Sequence, residues 1–181
     1  MRTTVPCLII AAVIVRAAQP VSAAPMTVEQ AYAAIPHERT VFNPAMASMA
    51  PDEAAYLKEL FAIIDLAVKE RVETLLWLQS GGTRGDEVDE YDMILGRLKS
   101  LPVPGKLLQV HQLVTDAIQE QCNVLREWRK APKQLSMQHP LVHSSSRKLY
   151  QAYGGVIQLY SKEDTRNLQA FYDYFCCLDF L

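Results

Sequence analysis

"PDEAAYLKELFAIIDLAVKERVETLLWLQSGG", Pro51 to Gly82, decides the fold class. Pro51 suits a first helical position, because the donor it lacks would be unsatisfied there anyway. Asp52 and Glu53 follow, where carboxylates complement the positive end of a helix dipole. Leu57, Leu60, Phe61, Ile64, Val68, Val72 and Leu75 then recur at spacings of three and four, which is one helix face turned toward a core. Gly81-Gly82 ends the run. A helix this long needs partners to cover its apolar face.

The rest of the chain supplies them. A shorter helix is expected over roughly 86–99, with Tyr91, Ile94, Leu95 and Leu98 on one side, and "LPVPGK" breaks it. A third is expected over about 104–131, with Leu107, Val110, Val114, Ala117, Ile118, Leu125 and Trp128 facing inward. "APKQLSMQHP" reads as a loop. A fourth helix, about 141–160, presents Leu149, Tyr153, Val156 and Tyr160, with Gly154-Gly155 on its opposite side. Each of those glycines costs about 1 kcal/mol relative to alanine, so the pair implies close backbone packing or a kink. Ser161 with Asp164 reads as a capping box opening a last helix striped by Leu168, Phe171, Phe175 and Leu178. No alternating strand pattern or internal repeat occurs. The expected fold is all-α, a helical bundle of four to five helices in one domain over 51–181.

Ahead of the bundle, Arg2 precedes an apolar run from Val5 to Val15, and small residues lead up to Ala23. A run of about 11 residues is too short for a bilayer that needs roughly 20, and it fits a cleaved signal peptide over 1–23. The expected location is therefore periplasmic or secreted, with no transmembrane helix in the mature protein. Removing Arg2 and Arg16 leaves 16 basic against 20 acidic residues, a charge of about −4. That balance and the lack of a basic stripe offer no footprint for nucleic acid. Residues 24–50 form an irregular N-terminal arm punctuated by Pro25, Pro36 and Pro44, with one helical turn near Thr27. The stretch from Tyr32 to Met46 is expected to lie across the bundle as an ordered strap. Ile35, Val41 and Phe42 would anchor it, while His37, Glu38 and Arg39 meet bundle charges.

Several polar residues fall on the helix faces that should be apolar. At 100° per residue, Arg71 projects between Ile64 and Leu60, and Gln121 between Val114 and Val110, with His111 and Cys122 at the stripe edge. Burying either polar group alone is costly, so the two are expected to meet across the interface of the first and third helices. Two readings stay open. One is structural: an arginine that snorkels to solvent, or an ion pair with an inward carboxylate such as Asp65, Asp173 or Asp179. The other is a polar pocket between helices for a small anion, with Arg71, Gln121, His111 and Asp65 as its ligand-binding candidates.

Around these residues, "KERVETLLWL", "DEVDEYDMIL" and "AIQEQCNVLREWR" resemble segments of the secreted all-helical chorismate mutases. The resemblance implies a substrate-carboxylate role for Arg71 and a catalytic position for Gln121, seven residues before Trp128, with Asp86 and Glu90 matching a further motif. Asp89 stands where that family has an arginine, and Gly82 where it has a lysine. Those two cations hold a dianionic substrate and its ether oxygen there. The resemblance thus implies a mutase-like enzyme with altered cations, as the alternative to a protein that binds a partner or small ligand without catalysis.

Met137, His139 and His143 are weak candidates for a copper-like site, and a solvated loop with two unrelated histidines is the better reading. If the fourth helix starts at Pro140, His139 is its cap. Cys122 and Cys176 are the disulfide candidates: with helices alternating up and down, the third and last run parallel and the two heights permit a bridge. Free thiols are the competing reading. No covalent-haem, phosphate-loop, dinucleotide or catalytic-triad motif is present, so no cofactor is expected.

Overall fold

The computed structural model describes residues 39–79, 87–130 and 138–179, together with Thr27 and Gln30. Residues 1–23, read as a signal peptide, about half of the arm, Gly81-Gly82 and Met137 lie outside the described residues. Thr27 and Gln30 exchange backbone-to-side-chain bonds of 2.9 and 3.2 Å, the reciprocal pair that opens a helix.

Five helices follow in order: α1 (Pro51–Gln79), α2 (Glu87–Lys99), α3 (Leu108–Lys130), α4 (Pro140–Leu159) and α5 (Thr165–Leu178). No strand occurs among the described residues, so the all-α expectation holds. Single 3₁₀ turns at Pro44–Met46 and Gly105–Leu107 lead into α1 and α3. His139 caps α4 as expected, its Nδ1 accepting from the Leu141 amide at 3.2 Å. The cap of α5 is displaced from the capping box. Asp164 itself accepts from the Arg166 and Asn167 amides at 2.8 and 3.2 Å. One carboxylate serving two amides is a stronger cap than a hydroxyl.

Each helix packs on its chain neighbours, and α5 returns to pack on α1, so the five close into a ring around Leu57, Ile64, Tyr91, Ile118, Leu149 and Phe171. Short connections make consecutive helices antiparallel. Closing an odd ring then forces one parallel contact, between α5 and α1. The pairings agree. Ser48, just before α1, meets Glu163, just before α5, while Arg71 near the end of α1 meets the end of α5. The third and last helices accordingly run parallel.

Gly155 marks the tightest approach. A Cβ there would stand 3.2 Å from Val110 Cγ2, so this glycine faces α3 rather than lying opposite the packed side. Gly154 has nothing within 4 Å of its missing Cβ. Only one of the pair is needed for close packing. Gly154→Ala should therefore raise unfolding free energy by about 0.5–1 kcal/mol, whereas Gly155→Val should lower it by about 1–3 kcal/mol. Urea unfolding of both variants checks this, and equal effects would refute the assignment.

Candidate functional site

Arg71 and Gln121 do converge, and the point of convergence is the carbonyl end of α5. Arg71 donates from Nη1 to the Leu178 carbonyl at 2.8 Å and the Asp179 carbonyl at 2.5 Å, and from Nη2 to that of Cys177. Gln121, fully buried, donates from Nε2 to the same Leu178 oxygen at 2.8 Å. The last carbonyls of a helix have no partner within it and carry the negative end of its dipole. A guanidinium with several donors in fixed geometry answers both needs at once. Burial pulls the Arg71 pKa below its usual value, while Tyr91, Cys177 and Asp179 act the other way. Nearby, the fully buried Tyr91 donates to the Ala67 carbonyl at 3.2 Å, tying α2 to α1.

Two of the carboxylates proposed as Arg71 partners engage the strap. Asp65 pairs with Arg39 of the strap, and Asp173 accepts from the Thr40 amide. Asp179 meets Arg71 through its backbone carbonyl. Its side chain takes the Ser146 hydroxyl. His111 lies at the other end of the bundle, its Nδ1 3.0 Å from the Tyr56 hydroxyl. The four ligand-binding candidates therefore do not form one pocket. Asp86 and Gly82 of the mutase-like motifs lie outside the described residues.

Both ring nitrogens of His139 are engaged in this arrangement. His139 Nδ1 holds the Leu141 amide and its Nε2 lies 2.9 Å from Glu127. An imidazole that accepts at one nitrogen and donates at the other has no lone pair left for an ion. His143 faces Gln138 at 3.4 Å, and no group of three His, Cys, Asp or Glu among the described residues could hold a metal. Cys122, Cys176 and Cys177 are free thiols, so the Cys122–Cys176 bridge is not formed. Parallel helices allowed its height, but Cys122 points at Asp92 of α2 while Cys176 opens between α4 and α5. Burial raises the Cys122 thiol to about 11.

Open clefts also occur among the described residues. One of about 410 Å³ lies between Tyr56 and Glu59 of α1 and the Leu101–Pro104 connection. Another, about 330 Å³, is polar: Glu53 on its wall meets Lys106 at 2.9 Å and the Tyr160 hydroxyl at 3.0 Å. Burial pushes the Glu53 carboxyl up, but its bonds to Lys106 and Tyr160 outweigh that and hold it below its ordinary value. The third, about 250 Å³ between α4 and α5, is aromatic, lined by Tyr150, Tyr153, Tyr172 and Phe175 with Cys176 at its edge. Tyr153 stands edge-on to Tyr172 with centroids 5.8 Å apart, while Tyr150 is 77% and Tyr172 43% exposed. Sequence reading missed this cleft, although Tyr150, Tyr153 and Tyr172 share helical faces that periodicity could have revealed.

Comparison with family models, with curated proteins and with solved structures gives no match. No helix among the described residues is long and apolar enough to cross a membrane.

Two tests follow from the geometry. Arg71→Leu orphans carbonyls at the end of α5 and should cost about 2–4 kcal/mol. Gln121→Leu should cost under about 1 kcal/mol, because Leu178 keeps Arg71 and the buried Gln121 Oε1 has no partner to lose. Denaturant titration would show the reverse order if Gln121 were the main clamp. Burial also holds His111 below its ordinary pKa of 6.5. A depressed folded pKa gives stability that is complete above the unfolded value and is lost as pH falls through the folded one. The drop in Tm from pH 7.5 to pH 5 should accordingly be smaller in His111→Gln than in the wild type. An equal drop would show that His111 titrates as if unfolded.

Proposed function

We propose that this protein is a secreted or periplasmic helical bundle that binds a partner protein through the aromatic face between α4 and α5, without catalysis of its own. The leader-like N-terminus supports the location. The observation that carries the binding reading is the exposure of Tyr150 and Tyr172 on either side of a cleft floored by Phe175 and Tyr153. Exposed tyrosine clustered around an apolar floor suits a binding hot spot, since it offers large contact area with little side-chain entropy to lose. At about 250 Å³ the cleft is below the roughly 300–1,000 Å³ of small-ligand pockets, which favours a protein side chain as occupant.

The mutase-like alternative asks Arg71 to hold a substrate carboxylate. Its bonds to three backbone carbonyls leave that role without support, and loss of chorismate absorbance on adding the purified protein remains its direct test.

The binding reading is tested by placing a photoreactive phenylalanine at position 150 or 172 and irradiating cells that produce the protein. One defined adduct should form from both positions and vanish when Tyr153→Ala is added. Position 93 on α2, where Met93 is 60% exposed, should give none. Equal labelling from position 93, or no adduct from 150 and 172, would sink the reading.

A further inference from the structure

The segment Arg39–Ser48 is held in a way that describes a binding site as well as a strap. It runs antiparallel to α5, and three of its backbone amides donate to side chains there, two on the helix and one just ahead of it. Thr40 donates to Asp173 Oδ2 at 2.7 Å, Asn43 to Asn167 Oδ1 at 2.9 Å and Ser48 to Glu163 Oε1 at 2.6 Å. Asn167 completes the set by donating from Nδ2 to the Asn43 carbonyl at 3.2 Å. A side-chain amide that both accepts from and donates to one residue's backbone mimics the edge of a neighbouring strand. Such bonds give affinity that is blind to side chains, and pockets then supply selectivity.

Two pockets do so. Phe42, 5% exposed, inserts against Phe61 and Phe171 at centroid distances of 5.5 and 5.8 Å. Arg39 pairs with Asp65 and lies 4.7 Å over the Tyr174 ring. Val41 between them is 63% exposed and read by neither.

Beside the aromatic contacts of Phe42, the floor under the segment is polar. Glu163, Asn167 and Asp173 are 6%, 0% and 2% exposed, and each of the three bonds to the segment. Bonded as they are, these groups are satisfied with the segment in place, and they can return to water when it leaves.

We propose that the groove between α1 and α5 is a peptide-reading site occupied in cis by Arg39–Ser48, and that in trans it takes an extended segment of a partner protein. That segment carries a basic residue three positions before a phenylalanine, an unread residue just before the phenylalanine, and asparagine after it. The tethered copy competes at an effective concentration in the millimolar range, so the site opens only to a partner that outbids it or when the strap is weakened. This site is separate from the aromatic face of α4 and α5, and either can fail without the other.

The test uses the full chain. In the wild type, hydrogen exchange at the Thr40, Asn43 and Ser48 amides should proceed by local opening while the interiors of α1 and α5 stay protected. Exchange of the strap only together with those interiors would overturn the proposal. A labelled synthetic peptide of residues 37–50 is then titrated into the wild type and into Phe42→Ala, or into Thr40→Pro should the first variant fail to fold. The weakened variant should bind about tenfold tighter or better, a difference of at least about 1.4 kcal/mol. A peptide with Val41→Lys should bind like the parent, and peptides with Phe42→Ala or Arg39→Glu should not. Equal binding to both proteins, or indifference to Phe42 in the peptide, refutes a reader. A wild-type dimer built by exchanging straps would assign the groove to a second copy and overturn the partner assignment.

Discussion

The grip of Arg71 on the last carbonyls of α5 is the contact on which the arrangement depends. A ring of five helices with short connections must contain one parallel pair, and a parallel pair sets like ends of two helix dipoles side by side. At the carbonyl end of this pair stands a guanidinium, reaching from α1 to the backbone of Cys177, Leu178 and Asp179. At the amide end stand Asp52, Glu53, Glu163 and Asp164. Charge of the right sign thus sits at both ends of the seam. Gln121 adds a bond from α3 to the same Leu178 oxygen, so three helices that do not follow one another in sequence meet at one backbone atom.

The same seam is closed along its length by the strap. Its Thr40 and Asn43 amides are satisfied by α5 side chains, and Phe42 completes an aromatic cluster in which Phe61 stacks on Tyr174 with centroids 4.3 Å apart. Burying one large aromatic is worth roughly 1.5–3 kcal/mol, a sizeable share of a typical domain's net stability. The opposite face of α5 is free of this work. There Tyr172 and Cys176 border the open aromatic cleft with α4. One short helix therefore serves the fold on one side and offers a binding surface on the other.

Arg71 and Gln121 show how a correct inference can point at the wrong chemistry. Their inward positions and their meeting follow from helical geometry. Their partner does not, because a backbone carbonyl has no letter in the sequence. The Asp65, Asp173 and Asp179 carboxylates were the visible candidates, and two of them turned out to hold the strap instead.

Amino-acid order alone determined the helices of this protein and much of their capping: apolar residues at three and four, Pro51 and Pro140 at helix starts, His139 as a cap, and extended geometry at Asn43 before Pro44. These are local matters of propensity, period and steric exclusion. Only the tertiary structure decided which of two neighbours turns inward. Phe42 is buried and Val41 exposed because an extended chain alternates its sides, and the register is set by α5. It likewise decided that Gly155 rather than Gly154 meets Val110, and that Cys122 faces α2 rather than Cys176. Those choices depend on the rotation of one helix against another. That rotation is settled by the packing of the whole ring, and no local stretch of sequence carries it.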